Sequence, residues 1–130
     1  MGSSVVIHAY GVMSALRWLR RYEVTSWRLS RWFRLFVLVA GWIILLHVVE
    51  ITVWAIAYTV MGAMPDLQSG VYFSAVTYTT TGYGDLVLPD RWRLVGAVEA
   101  LTGILMCGWS TGFFFAVLTK MLASDEELRE

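Results

Sequence analysis

The chain has 130 residues, enough for one domain, and 58% of them are hydrophobic against 15% charged. A mean hydropathy of +0.62 is too apolar for a soluble domain of this size, so the composition describes a membrane protein. The formal net charge of +0 conceals an asymmetry, with basic residues early and acidic residues late. Cys107 is the only cysteine, which excludes an intrachain disulfide; in an apolar stretch it reads as a small buried thiol filling space.

The chain opens on Met1–Ser4, expected to be disordered. From Val5 to Tyr22, the apolar residues Val5, Val6, Ala9, Val12, Met13, Leu16 and Leu19 recur at helical spacing, with Arg17, Arg20 and Arg21 near the end. This pattern suits either an amphipathic helix lying at the membrane surface or a partly ordered tail. No positive region precedes the first apolar stretch, so a cleavable signal peptide is not expected. Thr25 or Ser26 is placed to cap a following helix bearing Arg28, Arg31 and Arg34 on one face, which reads as a juxtamembrane anchor rather than a voltage sensor. Residues 1–34 together form an N-terminal segment.

Leu35 to Gly62 gives about 28 mostly apolar residues, roughly 42 Å of helix, long enough to cross a bilayer with tilt. Within it His47 and Glu50 share a face. Ionisable groups at this depth need a partner. One histidine and one carboxylate fall short of a metal-ligand set, so the pair reads as buried hydrogen-bonding groups that tie helices together. Glu99, in the second span, is a third ionisable residue at membrane depth.

Pro65 and Asp66 mark a turn over Ala63–Ser69. Gln68 to Thr80 follows, too short to span and too rich in Tyr, Thr and Ser to face lipid; it predicts a short helix entering from one side and stopping near the midplane. Behind it comes Thr79-Thr80-Thr81-Gly82-Tyr83-Gly84-Asp85. Glycines at alternate positions permit positive φ, so an extended segment can aim successive carbonyl oxygens to one side. Such a row, with the Thr80 hydroxyl at its inner end, is a ligand for a dehydrated monovalent cation. One chain supplies one row, so four copies about an axis are needed to ring an ion.

Thr80 to Gly84 resembles the Thr-Val-Gly-Tyr-Gly selectivity filter of potassium channels, with Thr81 where the family usually has Val or Ile. The chain is thereby similar to two-transmembrane, one-pore-loop bacterial potassium channels. The resemblance implies an all-α membrane protein in which two transmembrane helices flank a re-entrant pore helix and filter. It implies a homotetramer in the lipid bilayer of the plasma membrane. Potassium ions would be held in turn at Thr80, Thr81, Gly82, Tyr83 and Gly84, with no organic cofactor and no nucleic-acid partner. In some bacterial relatives a pore-helix glutamate binds the aspartate after the filter. Val76 stands in that place here, so Tyr72 is expected to partner Asp85. Thr81 leaves a weakly selective cation channel as the alternative; a non-conducting regulatory subunit and a potassium transporter built of similar units are the others.

Past the filter, Asp85 and Asp90 would concentrate cations while Arg91 and Arg93 oppose them, although ordinary loop solubility explains all four equally well. Leu94 to Ala123 is the second span, about 30 residues, interrupted by Gly96, Gly103, Gly108 and Gly112. By resemblance Gly103 falls at the family's gating hinge; the plainer reading is a packing notch. Helical spacing from Gly103 puts Ile104, Cys107, Gly108, Thr111 and Phe115 on one face, towards the cavity, with Phe115 a candidate gate near its inner end. Residues 35–123 thus form a pore domain and 124–130 a short acidic tail. Basic residues flank the spans about eight to two on the terminal side, which places both termini in the cytoplasm and the filter outward. No bond chemistry is expected.

Overall fold

The computed structural model describes residues 1–20 and 29–127. The order is α1 (Gly2–Arg20), α2 (Leu29–Val60), α3 (Leu67–Tyr78), a 3-10 turn (Asp90–Trp92) and α4 (Arg93–Glu127). Thr25, Ser26 and Arg28, considered above as a cap and the start of a basic face, lie outside the described residues, as do residues 128–130 of the tail.

Among the described residues, two segments are long and apolar enough to cross a membrane, Trp32–Val60 with 29 residues and Asp90–Thr119 with 30. Only 22% and 33% of their most apolar windows are buried in the protein. A soluble core helix would hide that surface; here most of it faces outward, as a lipid-facing helix requires. The first span ends in a Schellman-type cap, where Gly62 N–H donates to Thr59 O at 3.1 Å and Ala63 N–H to Tyr58 O at 2.8 Å. The chain then reverses through Pro65. Asp66 is more than a breaker: its Oδ1 accepts from Ser69 N–H at 2.8 Å and caps α3. With 12 residues, α3 is roughly 18 Å long and stops partway across.

Two apolar clusters hold the helices together. Trp54 and Tyr58 of α2, Phe73 and Tyr78 of α3 and Met106 of α4 form one, with Phe73 edge-on to Tyr58 at 5.3 Å. Val12 and Ala15 of α1, Val39 and Ile43 of α2 and Phe113 and Val117 of α4 form the other. The N-terminal residues depart from expectation here. Met1–Ser4 is not a disordered lead-in, because α1 begins at Gly2 and Ser4 is fully buried. Its hydroxyl accepts from Trp54 Nε1 at 3.1 Å, giving the first turn a partner that the local sequence does not reveal. α1 packs against α2 and α4, with Trp42 Nε1 donating to Gly11 O at 3.1 Å.

Candidate functional site

The site grows from the C-terminal end of α3. Thr80 N–H donates to Thr77 O and Thr81 N–H to Val76 O, both at 2.9 Å, and Gly82 N–H also reaches Val76 O at 3.2 Å. The amides at the start of the ribbon are thus spent on the helix end. Thr80, Gly82 and Gly84 have φ of 58°, 57° and 77°. In a β-strand successive carbonyls point alternately to opposite sides; a sign change of φ at every second residue works against that alternation. Gly82 and Gly84 adopt positive φ without a Cβ penalty, whereas at Thr80 it costs about 1–3 kcal/mol. The stretch from Thr79 to Val87 is exposed on one chain.

Side chains brace this ribbon from behind. Thr79 Oγ1 donates to Ala75 O at 2.7 Å, so at the 2.9 Å Thr79–Thr81 contact the Thr81 hydroxyl is the donor. The hydroxyl that distinguishes Thr81 from Val therefore has a partner. Tyr72 Oη donates to Asp85 Oδ2 at 2.6 Å, and that bond holds the Asp85 carboxyl below the ordinary aspartate range. Gly103 lies under the end of α3. A Cβ there would stand 1.9 Å from Tyr78 O and 2.8 Å from its carbonyl carbon, so only glycine lets α4 approach the helix end this closely. Further along α4, Ile104 and Phe115 are 56% and 70% exposed. Cys107 is exposed as well, contrary to the expected buried filler, because it shares their outward-facing side. At the outer loop, Arg93 pairs with Asp90 at 2.8 Å on the surface, and the Arg91 guanidinium lies 5.6 Å from the Trp92 ring centre.

The two membrane carboxylates, Glu50 and Glu99, fall in separate buried networks. Glu99 accepts from Tyr58 Oη at 2.7 Å and from Ser74 Oγ, which also contacts Ile51 O at 3.0 Å; α2, α3 and α4 meet there. Glu50 belongs to a closed ring. Tyr78 Oη donates to one carboxylate oxygen of Glu50 and meets His47 Nδ1 at 3.1 Å. His47 Nε2 meets Ser110 Oγ at 3.1 Å; Ser110 Oγ meets His8 Nε2 at 3.1 Å; and His8 Nδ1 returns to Glu50 at 2.9 Å. Five links need five protons. Tyr78, Ser110 and two neutral imidazoles bring four, so closing the ring takes one more, which balances the Glu50 carboxylate and leaves the cluster electrically neutral. Neutrality suits its depth between apolar helices.

His47 and Glu50 thus share a network without bonding each other directly, and the residue that completes it, His8, lies outside the span that carries them. The available clue was Ser4 and His8, four apart on the face that also carries Val12 and Ala15.

A family model described as "Ion channel" matches residues 32–120, more than half of the chain. Comparisons with curated proteins and with solved structures return no match.

Proposed function

The chain belongs to the ion-channel family, a non-enzyme kind of membrane protein, and we propose that it is the potassium-selective subunit of a homotetrameric channel. The observation that carries this reading is the Thr80–Gly84 ribbon, with φ positive at alternate residues and its first amides bonded to the end of a short helix between two membrane helices. Potassium is the cargo. It would pass through sites made by the carbonyls of Thr80 to Tyr83 and the Thr80 hydroxyl, repeated about a fourfold axis, with Gly84 ending the row. Several ions at once keep each site weak enough to leave.

The pore-helix end supports the same reading, since four partly negative C-termini converging on a cavity favour a cation there. Tyr72 and Asp85 keep the ribbon in place from outside. Gly103 seats α4 beneath it, and Phe115 is the residue for a water-excluding constriction near the inner end. The excess of basic residues on the terminal side supports a plasma-membrane topology with both termini in the cytoplasm. Purified chain in liposomes, with no other protein, tests the proposal. Potassium efflux that barium blocks is expected; silence under all ionic conditions overturns conduction and favours a regulatory subunit.

A further inference from the structure

His8, His47 and Glu50 place their ligand atoms within 4.8 Å of one another, from α1 and from adjacent turns of α2. Four ligands around a tetrahedral zinc-class ion stand about 3.3 Å apart, given metal–ligand bonds near 2.0–2.1 Å. Small side-chain movements therefore suffice to close the set. The orientation of the rings is that of a prepared site. Both Nε2 atoms lie 3.1 Å from the same Ser110 oxygen; its hydroxyl donates one of these links in the metal-free ring, and once an ion holds the Nδ1 side its two lone pairs can accept from both imidazole N–H groups. That leaves both Nδ1 atoms on the side of Glu50: His8 Nδ1 at 2.9 Å from its carboxylate, and His47 Nδ1 at 3.1 Å from the Tyr78 hydroxyl that is itself bonded to Glu50. A metal-binding histidine generally has its other nitrogen held by just such an outer partner, which fixes the tautomer.

We propose that His8, His47 and Glu50 form a binding site for a zinc-class divalent transition-metal ion, which fastens α1 to α2 behind the pore helix. Two imidazoles and one carboxylate suit zinc, cobalt or nickel; magnesium and calcium require oxygen-rich shells. The fourth position is open to water or to the Tyr78 oxygen. On binding, the ion takes the place of the shared proton and of the hydrogen bonds that the Nδ1 atoms now make. Glu50 and His8 are fully buried and His47 partly so, which shields the site from competing water. The inference concerns the back of the pore helix and does not rest on potassium selectivity.

The test uses the full chain in lipid nanodiscs, stripped with a chelator and titrated with Co2+. Intense visible absorption of tetrahedral cobalt, saturating at one ion per chain and lost on adding Zn2+, is expected. His8→Asn, His47→Asn and Glu50→Gln should each weaken binding by more than the ~10–100-fold that loss of an outer partner costs, and Ser110→Ala should fall within that range. Cys107→Ser, removing an exposed thiol, should leave the spectrum unchanged. No tetrahedral spectrum, or one indifferent to all three ligand variants, overturns the site. X-ray absorption at the zinc edge of the unaltered chain decides the matter even if those variants fail to fold. Two imidazoles with oxygen support the site, whereas sulfur or an all-oxygen shell contradicts it. Either outcome leaves the liposome flux result free to stand or fall separately.

Discussion

Gly103 shows how one missing side chain sets the approach of α4 to the end of α3. Because a Cβ would stand 1.9 Å from Tyr78 O, backbone rather than a flexible side chain blocks it, and Gly103→Ala must push α4 from the end of α3. A cost of about 1–3 kcal/mol is expected for such overpacking, read as lower thermal stability of the purified protein together with loss of potassium flux. Gly108→Ala, whose Cβ would meet nothing within 4 Å, should change neither. Tyr72 makes a different residue-scale prediction. Its hydroxyl keeps the Asp85 carboxyl below the ordinary aspartate range. A depressed folded-state value means that the contribution is present above the unfolded pKa and is lost as pH falls through the folded one. Tyr72→Phe should shift the acid loss of conduction to higher pH, measured as flux against external pH; an unchanged profile would separate this bond from filter stability.

Among the elements, α1 is the one whose place depends most on contacts distant in sequence. His8 meets Glu50 across 42 residues and Ser110 across 102, so no local window displays the ring. Removing residues 2–20 takes His8 from a fully buried carboxylate, a loss expected to cost about 3–5 kcal/mol because a charge is left without its partner. Glu50→Gln in the shortened chain should recover part of that stability, whereas in the full chain it should destabilise; denaturation of the four proteins reads the opposite signs. The other elements were legible beforehand. Hydropathy and length mark α2 and α4, and the Tyr- and Ser-rich composition of a segment too short to span marks α3. Sequence also named the polar residues His47, Glu50 and Glu99, but not their partners Tyr78, Ser110, Tyr58 and Ser74, since helix–helix registry decides which side chains meet. The N-terminal start departs from expectation for the same reason: Ser4 bonds Trp54, fifty residues away.

As a whole molecule, one chain leaves its proposed ion ribbon from Thr79 to Val87 exposed, and Ile104 and Phe115 of α4 are exposed as well. Fourfold assembly would cover these surfaces and give the carbonyls a common axis. Native mass spectrometry from nanodiscs should therefore find four chains, and a stable dimer or monomer would deny the ribbon its ring. Selectivity is the property for which that ring is proposed, and membrane reversal potential reads it directly. With potassium on one side of a bilayer and sodium on the other, a strongly potassium-selective pore drives the potential far towards the value that halts potassium flow. A reversal near zero would mean that the filter passes sodium almost as readily, and would contradict potassium-selective conduction through Thr80 to Gly84.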